Sequence, residues 1–165
     1  MTFRQAFERF MLGYKTVEPE SIPFIIWLME NPMSPLCLHG SASLRDHDAV
    51  HVLLECDQSN DSEAFVIGFT MGTDDRIKSW EVKLFKFISQ YFYPAENKFT
   101  KRQIQIFQSG FQYGKTRKVK RIGEWAWHKE DWNIPLNKMQ EKFGVMSNEL
   151  SFYKGGSVAS IISVS

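Results

Sequence analysis

Residues 44–71 read LRDHDAVHVLLECDQSNDSEAFVIGFTM, and this stretch decides the fold. Leu44, Val50, Leu53 and Leu54 recur at helical rather than alternating spacing, which predicts a helix with those side chains toward a core. Ser41 or Ser43 stands where an N-cap is wanted, so the helix is expected to run from there to about Cys56. Residues 57–61 are all polar and turn-forming, so the chain reverses there. A second, strongly apolar helix then follows over residues 62–71. The unit is a helix–turn–helix hairpin.

Outward from that hairpin the pattern stays helical. Residues 2–13 place Phe3, Phe7, Phe10 and Met11 on one side of a short amphipathic helix. Residues 22–30 form an apolar segment with Pro23 in its first turn, a normal helix entry, and residues 31–40 hold two prolines and a glycine and read as a loop. Asp74 and Asp75 open a further helix in which Ile77, Trp80, Leu84, Phe87, Ile88 and Tyr91 keep helical spacing until Pro94. Residues 99–113 carry Ile104, Phe107 and Phe111 on one stripe, and a last helix over 135–143 ends at Gly144 in the C-cap position. The expected architecture is an all-α, single-domain helical bundle over residues 1–150. A Ser- and Gly-rich tail, 151–165, is expected to be poorly ordered, with residues 158–164 able to pair as an edge strand.

Bulk properties narrow the function classes. With 165 residues, 43% of them hydrophobic, the chain is long enough to bury a core without staples. A formal net charge of +1 supplies no global attraction to nucleic acid. Cys37 and Cys56 are too few for a disulfide framework and suit a reducing compartment. The N-terminal residues mix charge with aromatics and lack a signal-peptide core, and the longest apolar runs fall short of the ~20 residues that cross a bilayer. The expected location is cytoplasmic or peripheral to a membrane.

The chemistry concentrates at His47, Asp48, His51 and Glu63. Three of the four histidines, His39, His47 and His51, fall in one short stretch. At about 100° per residue, His47 and His51 lie roughly 40° apart on a helix, with Asp48 about 60° beyond His51. The hairpin brings Glu63 back toward them. Two imidazoles and two carboxylates around one point suit a divalent cation: zinc, iron, cobalt or manganese by the imidazoles, magnesium or manganese by the carboxylates. Residue by residue, blander readings compete. Glu63 stands three positions after Asn60 and fits a capping box, His47 and Asp48 fit solvated helix positions, and His51 fits a satisfied core histidine.

The pattern H-D-x-x-H-x11-E, here His47-Asp48-Ala49-Val50-His51, eleven residues, then Glu63, resembles the metal motif of the coenzyme Q (ubiquinone) biosynthesis protein four family. Val52-Leu53, Glu63-Ala64, Pro135-Leu136, Lys138 and Phe143-Gly144-Val145 fit the same pattern. The likeness covers residues 40–72 well and 110–145 loosely. The chain is shorter than the usual member, and its 31–40 loop replaces a Gly- and Tyr-containing lead-in. The resemblance implies an all-helical protein that binds a divalent metal, zinc being the ion usually named, through His47, Asp48, His51 and Glu63. It further implies a peripheral-membrane protein, a prenylated quinone precursor or prenyl lipid as ligand, other quinone-biosynthesis proteins as partners, and a role in oxidative removal of a ring carboxylate. Asp48 or Glu63 would then act as acid/base partner.

Two further functions compete with that one: a prenyl-lipid-binding scaffold whose metal is structural, and an HD-type phosphohydrolase. The phosphohydrolase needs an upstream histidine, and His39 is the one available. The basic residues between Lys115 and Arg121 suit an anionic headgroup or a solvated linker, and the Phe and Trp abundance suits a prenyl tunnel or an ordinary core. A homodimer is compatible with so aromatic a small domain. Gly110-Phe-Gln-Tyr-Gly114 is not a phosphate loop, because the Lys-Ser/Thr that would follow is missing.

Overall fold

The computed structural model describes residues 1–13, 38–40, 42–93, 95, 98–117, 121, 129–146 and 150. The expected helix over 22–30, the basic residues 118–120, residues 122–128, Cys37 and the 151–165 tail lie outside them. The described residues are helical: α1 (Phe3–Leu12), α2 (Leu44–Leu53), α3 (Asn60–Thr73), α4 (Ser79–Tyr91), α5 (Lys101–Thr116), a 3-10 turn (Lys129–Asn133) and α6 (Leu136–Lys142). No strand occurs among them, and the all-α expectation holds.

Local chemistry sets each helix start. Thr2 and Thr100 cap α1 and α5 in reciprocal boxes with Gln5 and Gln103, each satisfying two backbone donors that have no partner inside the helix. Ser43, of the two serines open to that role, caps α2 by accepting from the Asp46 N–H at 3.2 Å. Gly144, at φ 73°, terminates α6 in the left-handed conformation that glycine adopts without strain.

The centre of the molecule is the crossing of α3 with α5. Gly68 and Gly72 on α3 face Gly110 and Gly114 on α5, each pair four residues apart and so on one helix face. A Cβ on Gly68 would fall on the Phe107 carbonyl oxygen, and one on Gly110 would fall on that of Phe65. Gly72 and Gly114 meet the carbonyls of Phe111 and Phe69 in the same way. Only hydrogens fit between these backbones, so the two helices pack closer than side chains normally permit. The motif at 110–114 is a helix-packing device.

This crossing divides the interior. One cluster joins Phe3, Val50, Leu53, Phe65, Phe69, Tyr113 and Met139, bringing α1, α2 and α6 against one side of the pair. The other joins Ala64, Met71, Phe85, Ile88, Phe99 and Phe107 and brings α4 against the other side. Helix α3 is therefore apolar nearly all round, as a helix buried on both flanks must be. The N-terminus is tied down by hydrogen bonds from Phe3 N–H to the Ile134 carbonyl (2.9 Å) and from Leu136 N–H to the Met1 carbonyl (3.2 Å).

Helix α4 starts at Ser79 and turns differently from the expected stripe. Its buried residues are Glu81, Phe85, Ile88 and Ser89, while Trp80, Phe87 and Tyr91 face outward. The reason is Glu81. Its carboxylate accepts from the backbone N–H groups of Lys78 (2.8 Å) and His39 (3.2 Å), and contacts His39 Nδ1 at 2.8 Å. Those donors pull the Glu81 side inward and turn the aromatic side out.

Candidate metal centre

The hairpin of α2 and α3 brings His47, His51 and Glu63 together. His47 Nε2 lies 3.0 Å from Glu63 Oε1, and His51 Nε2 lies 3.0 Å from Glu63 Oε2. The two imidazole Nε2 atoms are 3.1 Å apart. Ligand atoms around a tetrahedral zinc, each about 2.0–2.2 Å from the ion, stand roughly 3.3 Å from one another. The three side chains stand a few tenths of an ångström inside that spacing and could hold a metal ion.

The local sequence explains the convergence. His47 and His51 are one turn apart on α2, and their rings meet edge to face at a centroid separation of 4.8 Å. Residue Asp57 builds the turn: its carboxylate accepts from the Ser59 N–H (3.0 Å), the Ser59 hydroxyl (2.6 Å) and the Ser62 hydroxyl (2.6 Å). These hydrogen bonds pull the Asp57 carboxyl down to about 2. Ser59, one residue before the expected Asn60, is the N-cap of α3, accepting from Ser62 N–H at 3.3 Å. Glu63 then falls at the fourth helical position, pointing back across the turn, and its carboxylate meets the imidazoles. The capping-box alternative gives way to this arrangement.

The hydrogen-bond chemistry of His51 bears on what belongs there. Its Nδ1 lies 2.9 Å from the Asp57 carbonyl oxygen, which only accepts, so Nδ1 carries the hydrogen. In the neutral ring Nε2 is then a lone pair aimed at a carboxylate oxygen. Two acceptors at that distance repel unless a proton or a metal ion stands between them. Orientation of a ligating histidine through its other ring nitrogen is the usual supporting contact in metal sites. His51 is 2% exposed, with Phe10 packed on its ring at 5.3 Å; His47 is 22% and Glu63 37% exposed. The site is closed beneath and open on the Glu63 side.

Burial acts to raise the Glu63 carboxyl, but the charge and hydrogen bonds of His47, followed by those of His51, outweigh it and hold the group well below the ordinary range. Asp48 behaves oppositely. It is 5% exposed, and burial pushes its carboxyl up against the pull of His47 and His51, with Glu63 adding to the rise. Of the four residues singled out by sequence, the structure brings three ligand atoms together, within 4.8 Å, from His47, His51 and Glu63. Asp48 adjoins that group and is not one of the three.

His39 stands apart in its pairing with Glu81 and does not join the converging group. Sequence reading missed Asp57, because a backbone carbonyl leaves no signature, although a turn rich in Asp and Ser marks where such a contact forms. It also missed Glu81, whose partner lies 42 residues away. No helix among the described residues is long and apolar enough to cross a membrane. No family model, curated protein or solved structure matches the chain.

Proposed function

We propose that this protein binds a divalent cation through His47, His51 and Glu63 and uses it to hold the anionic group of a prenylated quinone precursor at a membrane surface. The observation that carries the reading is the meeting of two Nε2 atoms with both oxygens of one carboxylate. The likeness of H-D-x-x-H-x11-E to the coenzyme Q biosynthesis protein four family supplies the substrate class. Zinc is the ion that family suggests; magnesium, manganese, iron and cobalt suit parts of the same ligand set.

A set of three protein ligands with solvent on one side suits a site that takes a fourth ligand from outside. The cation would hold and polarise a ring carboxylate, or lower the pKa of a bound water. Asp48, buried beside the histidines with its carboxyl raised, suits the acid/base role better than that of a ligand. The second reading, a prenyl-lipid scaffold, is favoured by the position of the site: a metal there ties α2 to α3 and stabilises the hairpin outright. The phosphohydrolase reading loses its upstream histidine to Glu81.

Incubating zinc-loaded protein with a carboxylated prenyl-phenol, and following loss of the ring carboxyl, separates the first two readings. Turnover in the wild type and none in a His47→Ala, His51→Ala variant supports the enzyme. A stably bound, unchanged prenyl lipid supports the scaffold.

A further inference from the structure

Helix α4 carries an outward stripe of which only Leu84 packs against a core cluster. Trp80, Leu84, Phe87 and Tyr91 are spaced i, i+4, i+7 and i+11, within about 60° of one another on a helix of about 100° per residue. Trp80 is 57% exposed, Phe87 52% and Tyr91 63%; Leu84 is half-buried. Phe87 and Tyr91 pack on each other at 5.1 Å, and Phe92, also exposed, joins Phe87 at 5.7 Å. Three exposed aromatic rings on one face of α4, with Phe92 just past its end, exceed the scatter of single apolar residues that a protein surface carries.

The charges beside the stripe have one sign. Lys83 borders it about 40° beyond Phe87, Lys86 stands half-buried about 60° further round, and Lys78 precedes the helix, while Glu81, the one carboxylate of α4, is buried against His39. The helix thus presents aromatic rings with lysines on one flank and no exposed carboxylate of its own, over a length of about 20 Å.

We propose that α4 is the face this protein lays on an anionic phospholipid bilayer, with Trp80, Phe87 and Tyr91 entering the headgroup boundary and Lys83 and Lys86 pairing with lipid phosphates. This assignment rests on the membrane-surface reading above and gives that surface a place on the fold. Tyr and Trp combine an apolar ring with a polar tip and favour the membrane–water boundary, and lysines spread their stems over the apolar zone while the ammonium stays in water. A second copy of the chain is the poorer occupant, because two α4 faces would bring like charges together around the aromatic contact. A bilayer of anionic lipid reverses that sign.

The test is co-sedimentation of the full chain with vesicles of phosphatidylcholine alone and of phosphatidylcholine mixed with phosphatidylserine. Wild type is expected to bind the mixed vesicles, and less so as salt rises. Lys83→Gln with Lys86→Gln should weaken binding about thirtyfold, and Trp80→Ser with Phe87→Ser at least as much. Both variants should keep the wild-type circular dichroism and zinc content, so that a lost fold or metal site is not mistaken for a lost membrane face. Binding of both variants as tightly as wild type would place the membrane contact elsewhere and overturn the role of α4 alone. Wild type that ignores every vesicle would remove the membrane-surface reading itself. A wild-type dimer that Phe87→Ser converts to monomer would assign the stripe to a second copy and overturn the bilayer as its occupant.

Discussion

Among the described residues histidine meets glutamate at two places, Glu81 and Glu63, and they are chemically unlike. At Glu81, every nearby group can donate: two backbone N–H groups and one imidazole nitrogen surround a carboxylate that is 3% exposed. Burial would raise that carboxyl, and the hydrogen bonds from the Lys78 and His39 backbones bring it below its ordinary value. At Glu63, the carboxylate meets two Nε2 atoms, and the ring of His51 has already given its Nδ1 hydrogen to a carbonyl. The first site is complete as it stands. At the second, the His51 Nε2 faces a carboxylate oxygen and calls for a proton or a cation between them, so the group could hold a metal ion. What distinguishes a structural His–Glu pair from a ligand set is therefore the ring nitrogen that faces the acid, and what the other nitrogen does.

The contrast breaks most visibly at Glu81. Glu81→Ala leaves two backbone donors and an imidazole without their buried acceptor, and should cost about 3 kcal/mol in chemical denaturation, with zinc content unchanged. Loss of zinc in that variant would mean the two sites are not separate. Next in size is the effect of metal. Zinc at about a hundred times its dissociation constant should raise wild-type stability by about 2.7 kcal/mol. The rise should vanish in Glu63→Gln and in His51→Ala when thermal melts are compared with and without the ion.

Much of the hairpin was legible in sequence because its determinants are local. Apolar spacing marked α2 and α3, the polar run at 57–61 marked the turn, and the four- and eleven-residue gaps placed His47, His51 and Glu63 on adjoining surfaces. The cap fell at Ser59 in place of Asn60, a one-residue difference that moves Glu63 out of a capping box and onto the imidazoles. The orientation of α4 was not legible. Its apolar residues fit an inward stripe by spacing alone, and the deciding contact, Glu81 with His39, spans 42 residues. The glycines of α3 and α5 likewise declare a close-packing face at 68, 72, 110 and 114, but nothing local says that the two faces meet each other.

Smaller effects sharpen the part played by the turn. Ser59→Ala removes the α3 cap and should cost about 1 kcal/mol, with a measurable fall in zinc affinity as Glu63 loosens. Last is the pH dependence at Asp57, which is exposed, so that solvent screening reduces what its shift contributes. Its carboxyl lies at about 2, below its ordinary 3.8, so its contribution to stability is fully present above that ordinary value and fades as pH falls toward 2. In Asp57→Asn this part of the acid loss should disappear, as followed by stability measurements between about pH 5 and pH 2.

The most direct test of the account is metal stoichiometry by native mass spectrometry after zinc loading and removal of loose ions. One zinc per chain is expected in the wild type and in Glu81→Gln, and none in His47→Ala, His51→Ala. Equal zinc in the wild type and the double-histidine variant, or none in either, would contradict it.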